Sequence, residues 1–214
     1  MRYRDRVEAG ERLAAAVVAA GIVPGDPSLL VLGVPRGGVP VASTVAEALE
    51  APLDVVVAHK LGAPGNPEFA IGAVAEDGTV IVDRRLARRL GISDDYVAQE
   101  GELQAGEVRR RAARYRAGAE ALPLEGRTCI VVDDGIATGS TLESVLRLVR
   151  SRAAAMVIAA VPVGPPESIR RLESVADHVI CPLVPSDFYA VGAWYESFGQ
   201  VSDEEVMEAL GIEG

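Results

Sequence analysis

Short apolar strands that each run into a glycine-bearing turn and then a helix recur along this chain, and that recurrence constrains its fold more than any other feature. Ser28 to Val34 reads as a buried strand. The turn Pro35-Arg36-Gly37-Gly38 follows, then a helix from about Val39 to Leu49 and a second strand from Leu53 to Ala58. Two strands joined through a helix pair in parallel with a right-handed crossover. The pattern returns with a strand at Cys129 to Val132, a helix from about Leu142 to Arg150, a strand from Ala154 to Val161, a helix from Pro165 to Val175 and a last strand from Asp177 to Cys181. Strands alternating with helices imply an α/β fold on a doubly wound parallel sheet. Hydrophobic residues make up 49% of the 214, enough to bury the core of one domain, read here as residues 1–214.

Other segments interrupt the alternation. Asp5 to Ala20 has a helical apolar stripe through Val7, Leu13, Ala14, Val17 and Val18. Lys60 to Phe69 is rich in glycine and proline and reads as a loop. Ile71–Ala75 and Thr79–Val82 read as a hairpin around Glu76-Asp77-Gly78. Residues 83–121 form a charged helical insertion, two helices split near Gly91-Ile92-Ser93, with Ser93 as the second helix's cap. It carries arginines at 84, 85, 88 and 89 and again at 109, 110, 111, 114 and 116. With Glu102, Glu107 and Glu120 interleaved, these read as solvated helix faces. Residues 182–214 form a small C-terminal unit, where Phe188, Tyr189, Trp194, Tyr195 and Phe198 crowd together before a last helix capped by Ser202 or Asp203.

Charge and hydropathy exclude several partners. A net charge of −10 argues against nucleic acid, whose phosphates would be repelled. No apolar run reaches the ~18 residues of a membrane span, and the start, Met1-Arg2-Tyr3-Arg4-Asp5-Arg6, leads into no signal-peptide core. Cys129 and Cys181 lie far apart in apolar contexts and read as reduced thiols, so a cytoplasmic location is expected.

Ligands of doubly wound sheets sit at the carboxyl ends of the strands. Three unusual turns fall there: Pro35–Gly38, His59–Gly72 and Asp133–Thr141. The last is the most telling. Adjacent carboxylates at a strand end can accept hydrogen bonds from vicinal hydroxyls. The turn's N–H groups, with the positive end of a helix behind them, can hold a phosphate. Lys60 is the chain's only lysine, beside 20 arginines, and it ends a strand next to the other two turns. A diphosphate contact is the reading for it. Gly33–Gly38 does not match G-x-G-x-x-G, and no G-x-x-x-x-G-K-[ST] occurs.

Cys129-Ile130-Val131-Val132, Asp133-Asp134, Gly135-Ile136-Ala137 and Thr138-Gly139-Ser140-Thr141 fit, position by position, the signature of type I phosphoribosyltransferases: four apolar residues, two acids, three variable positions and Thr-Gly-x-Thr. The resemblance implies that Asp133 and Asp134 take the ribose hydroxyls and a Mg²⁺, and that Ala137, Thr138, Gly139, Ser140 and Thr141 wrap the 5′-phosphate. Gly33–Gly38 resembles the family's pyrophosphate loop, often beside a non-proline cis bond, with Arg36, Gly37 and Gly38 as ligands. Lys60–Gly72 resembles its mobile loop, in a group of bacterial phosphoribosyltransferase-like proteins where Arg commonly stands at the place of His59. His59 reads as a strand-end imidazole, and His178 as structural. The aromatic C-terminus resembles the family's hood, where Phe188, Trp194, Tyr195 or Phe198 would stack on a base; an aromatic minicore is the other reading.

The resemblance implies a type I phosphoribosyltransferase fold. It implies an enzyme that transfers phosphoribose from phosphoribosyl pyrophosphate to a nucleobase or similar amine, with Mg²⁺, in a homo-oligomer such as a dimer. The alternative is a sensing regulator that uses the same pocket without catalysis.

Overall fold

The computed structural model describes residues 2–212; Met1, with which the amino-terminal reading begins, and the last two residues of the C-terminal unit lie outside it. In chain order the elements are α1 (Arg6–Ala19), β1 (Leu29–Gly33), α2 (Gly38–Ala48), β2 (Leu53–Val55), β3 (Ala58–Ala63), β4 (Asn66–Ala75), β5 (Val80–Val82), α3 (Arg84–Arg89), α4 (Asp94–Tyr115), β6 (Thr128–Val132), α5 (Ser140–Ser151), β7 (Met156–Ala160), α6 (Pro166–Leu172), β8 (His178–Ile180) and α7 (Asp203–Ala209).

Five strands form a parallel sheet in the order β2-β1-β6-β7-β8. Its strands are apolar on both faces because helices cover both. Along β1, Leu29 and Val31 face a layer made by α1 and α2, with Leu13, Val17, Val41 and Val45. Leu30 and Leu32 face the opposite layer, with Leu142, Leu146 and Val149 of α5 and Leu172 of α6. The chain therefore leaves β1 toward one face and β6 toward the other. These two strands are neighbours, in register from Leu29↔Thr128 to Gly33↔Val132. Their carboxyl ends are the sheet's topological switch point.

A second sheet, antiparallel in the order β3-β4-β5, corrects the loop expected over Lys60–Phe69. The glycines and prolines there do not prevent pairing: His59 pairs with Val74, Lys60 with Ala73 and Ala63 with Asn66. Only Pro64 and Gly65 lie at the tip, with Gly65 at φ +74, the Pro-Gly arrangement of a type II turn. The expected strand from Leu53 to Ala58 is in fact divided. Leu53–Val55 joins the parallel sheet and Ala58 begins the antiparallel one, so Lys60 lies inside a strand rather than at the end of one.

The insertion's two helices form as expected, with Ser93 capping α4 and Asp94 and Asp95 in its first turn. Ala105, Val108, Ala112 and Tyr115 make the helical stripe that α4 buries. One arginine corrects the solvated-face reading. The Arg116 side chain is 10% exposed, with Nε 2.7 Å from Asp54 Oδ1, Nη1 2.6 Å from Glu76 Oε2 and Nη2 2.7 Å from the Val55 carbonyl. This network binds the end of α4 to β2 and to the turn after β4. Cys129 is buried, Cys181 is half-buried, and both thiols are free.

Candidate functional site

The switch point is built from the two loops that follow β1 and β6. Val34 N–H donates to the Val132 carbonyl at 2.9 Å, so the loops leave the sheet side by side. They then approach so closely that glycine is required. A Cβ on Gly38 would lie 2.7 Å from the Val132 carbonyl oxygen and 2.8 Å from Asp133 Cα, both backbone atoms that cannot yield. A Cβ on Gly37 would lie 2.0 Å from Asp134 Oδ2. The Pro35–Arg36 peptide between them and β1 is cis. Arg36 is partly exposed and its guanidinium is 3.8 Å from Asp203 at the start of α7.

The loop after β6 is held from several sides. Ile136 is buried, and its N–H donates to the Val163 carbonyl at 3.0 Å. Ser168 of α6 donates its hydroxyl to the Ala137 carbonyl. Gly139, at φ +74, turns the chain into α5. Thr138 and Ser140 hydroxyls lie 3.0 Å apart at the rim. Ala137, Thr138 and Thr141 are exposed.

Four of the other helix starts satisfy N–H groups with the side chain of the capping residue. Asp5 caps α1, Asp83 caps α3, Ser93 caps α4, and Ser202 caps α7 in a capping box with Glu205. The two helices that begin at the switch point, α2 and α5, have no side-chain cap. α6, which opens with Pro166, has none either. At α5 the first-turn donors and the positive dipole end are left for an anion. At α2 the Gly38 N–H donates to the Val34 carbonyl at 3.0 Å, the Val39 N–H to the Arg36 carbonyl at 3.2 Å, and Pro40 has none, so that helix start offers its dipole end and the turn before it.

The acid pair sits between these helix starts. Asp133 keeps some exposed surface, yet burial pushes its carboxyl well above the usual carboxylate range, and the neighbouring Asp134 charge adds to this. Its Oδ1 accepts from the Asp134 N–H at 2.9 Å. Burial also raises Asp134, with Arg6 opposing. Arg6, the first residue of α1, places Nε 2.9 Å and Nη2 2.8 Å from Asp134 Oδ2. Tyr195 donates its hydroxyl to the Asp134 carbonyl at 2.6 Å. Arg6 and Tyr195 escaped the reading of the sequence as partners of the acids. The first lies 128 residues before Asp134 and the second 61 after it, and nothing local marks either.

The remaining expected residues are placed as follows. Lys60 and His59 lie on β3, and burial holds the His59 imidazole below its ordinary value. His178 is exposed on β8. Phe188 and Trp194 are half-buried and pack with Tyr3, Val163 and Tyr195, the arrangement of an aromatic minicore. Tyr195 stands 4.8 Å from Phe198 by ring centroids. A cleft of about 1230 Å³ lies along the outer side of α5 and shares only Thr138 and Ser140 with the signature loop.

Among the described residues no group of three His, Cys, Asp or Glu side chains is placed to hold a metal. Two adjacent carboxylates, one with an oxygen already taken by Arg6, fit a Mg²⁺ shared with a ligand's phosphates rather than one caged by protein.

Comparison with known proteins bears on the whole chain. The family described as "Phosphoribosyl transferase domain" matches residues 5–195. A candidate phosphoribosyl transferase of Mycobacterium tuberculosis is 41% identical over 208 residues, covering 97% of this chain and 46% of that protein. The chain thus spans about half the length of the curated relatives it matches. An adenine phosphoribosyltransferase of Rhodococcus jostii is 32% identical over 101 residues, 44% of this chain and 57% of that one. A crystal structure of a Thermus thermophilus protein superposes with a TM-score of 0.90 at 44% identity, covering 98% of each chain.

Proposed function

The chain belongs to the phosphoribosyl transferase family, and we propose that it transfers the phosphoribosyl group of phosphoribosyl pyrophosphate to a nitrogenous base, with Mg²⁺ and release of diphosphate. One observation carries this reading. Two uncapped helix starts and a buried acid pair meet at one switch point, with Gly37 seated against Asp134. That arrangement offers anion sites on two sides of a hydroxyl-binding centre, which suits a ribose bearing phosphates at both ends.

In the proposed reaction the bond from the anomeric carbon to the diphosphate oxygen breaks, and that oxygen keeps the electron pair. A base nitrogen gives its lone pair to the same carbon and loses its proton. Positive charge builds on the ribose ring and negative charge on the leaving diphosphate. The N–H groups of Ala137–Thr141 hold the 5′-phosphate. Asp133 and Asp134 hold the ribose hydroxyls and face the developing positive charge. Arg36, the Gly37 N–H and Lys60 receive the diphosphate, while Gly38, whose N–H donates to the Val34 carbonyl, lets the two loops approach. Bound Mg²⁺ would offset the diphosphate's charge. The hairpin carrying Lys60 would exclude water, since hydrolysis competes with transfer. Phe188 and Trp194 would present the hood to the base, and the active form would be a homo-oligomer.

The deciding experiment incubates the chain with phosphoribosyl pyrophosphate, Mg²⁺ and a panel of purine and pyrimidine bases, and measures diphosphate release. Base-dependent release, lost when Asp133 and Asp134 become Asn, supports transfer. Binding of the sugar diphosphate without release on any base supports the sensing regulator instead. No binding at all defeats both readings.

A further inference from the structure

Arg6 has no part in the proposed reaction, yet its guanidinium is held on two edges and one face. One edge meets Asp134 Oδ2 through Nε at 2.9 Å and Nη2 at 2.8 Å. Nη1 donates to the Gly199 carbonyl at 2.9 Å. Its Cζ lies 4.1 Å from the centre of the Phe198 ring, within cation–π range. The side chain is 14% exposed and its carboxylate partner 13%. With three of its five N–H donors committed on two edges and one face against a ring, the guanidinium is fixed in place. It acts on Asp134, fixing one oxygen of a carboxylate whose neighbour, Asp133, is a second acid.

The same hood segment grips Asp134 a second time. Tyr195, whose ring stands 4.8 Å from Phe198, donates its hydroxyl to the Asp134 carbonyl. Asp134 is thus held by its side chain through Arg6 and by its main chain through Tyr195, and Phe198 braces both. Tyr3, three residues before Arg6, ties the amino-terminal segment into the same cluster: its ring centre is 5.5 Å from that of Tyr195, and its main chain bonds Trp194 and Glu196.

We propose that Arg6 is a positioning residue that aims the Asp134 carboxylate at a ribose hydroxyl, and that through it the hood segment from Tyr195 to Gly199 takes part in sugar recognition. The inference rests on the assignment of the acid pair to the ribose hydroxyls. It differs from that assignment in giving hydroxyl selectivity to a residue and a segment that do not touch the sugar.

The test compares ribose 5-phosphate, 2-deoxyribose 5-phosphate and inorganic phosphate, measured by calorimetry on the full chain. A fixed, charged acceptor should give the unaltered protein a preference for the ribose form of roughly tenfold. In Arg6→Met that preference should fall to within about twofold, while inorganic phosphate, held by the α5 start, changes by less than about twofold. Arg6→Lys, which keeps the charge, should recover part of the preference. Phe198→Leu, which removes the brace and leaves the ion pair, should fall between. A loss of overall fold would move all three ligands together and could not produce this split. A folded Arg6→Met with undiminished ribose preference overturns the proposal. If Arg6→Met does not fold, a Phe198→Leu protein with undiminished preference overturns it equally. An unaltered protein that binds inorganic phosphate but does not distinguish the two sugars defeats the ribose assignment itself, a different outcome from either.

Discussion

Two largely buried charge clusters in this molecule share one composition, an arginine with two acids, and are wired in opposite ways. In the scaffold, Arg116 lies between Asp54 and Glu76 and touches both. Asp54 also accepts the Val55 N–H at 2.7 Å and the Leu122 N–H at 2.9 Å. At the site, Arg6 spends both of its acid-facing donors on Asp134, while the Asp133 side chain accepts the Asp134 N–H. The consequence shows in the acids. Asp133 is pushed well above the carboxylate range. The scaffold cluster is completed by protein groups, whereas the site cluster keeps one acid short of partners, which a ligand's hydroxyls or a shared cation can supply.

The largest effect should come from breaking the completed cluster. Arg116→Met leaves two buried carboxylates without their cation and should cost about 3–5 kcal/mol in urea unfolding. A loss below about 1 kcal/mol would mean that water already serves those acids, and the contrast with the site would collapse. Next comes the ligand. Phosphoribosyl pyrophosphate with Mg²⁺ at a hundred times its dissociation constant should stabilise the chain by about 2.7 kcal/mol, a rise in melting temperature of roughly 5–10 °C. Asp133→Asn with Asp134→Asn should remove that rise.

A smaller effect of opposite sign tests the incomplete cluster directly. Asp133→Asn keeps an acceptor for the Asp134 N–H and removes a charge that burial disfavours, so the unliganded protein should gain roughly 0.5–2 kcal/mol near pH 8. Because the folded-state pKa of Asp133 is raised, the unfolded chain releases this proton first as pH rises. Native stability therefore falls from the ordinary carboxylate value up to the raised one, and the cost remains above it. The advantage of the Asp133→Asn protein should accordingly vanish below about pH 4, where the aspartate is protonated in both the folded and the unfolded chain. Equal stabilisation at pH 4 and pH 8 would assign the gain to packing. The smallest effect is Tyr195→Phe, which removes one buried hydrogen bond to the Asp134 carbonyl and should cost about 1 kcal/mol by thermal unfolding.

Much of the parallel sheet was legible because its signals are local. Each strand is an apolar run closed by a turn, and the acid loop carries its residue types at fixed spacing. Ser93 and Gly91 marked the break between α3 and α4 in the same way. The β3–β4 hairpin was misread since glycine and proline count as loop formers, and only Pro64-Gly65 is a turn there. Pairing partners such as Lys60 and Ala73 are fixed by contacts that no local pattern reveals. Arg116 looked like its neighbours on α4 and is distinguished only by Asp54, 62 residues earlier. Arg6 is the same case at the site. Its meaning comes from the place where α1 docks, not from Asp5-Arg6-Val7.

The close approach at Gly38 has a consequence for how this site can change. Its neighbours there are main-chain atoms, the Val132 carbonyl oxygen and Asp133 Cα, so no compensating substitution at another position can make room. Gly37 faces only a side chain, so a shorter residue at 134 would relieve it, at the expense of the carboxylate that Arg6 holds. A library randomised at both glycines should therefore return one fixed position and one conditional one, with variants at 37 surviving only alongside losses at 134. The two loops form a single inherited unit: a lineage can reshape the hood or the hairpin one residue at a time, but it keeps this crossing whole or abandons the site.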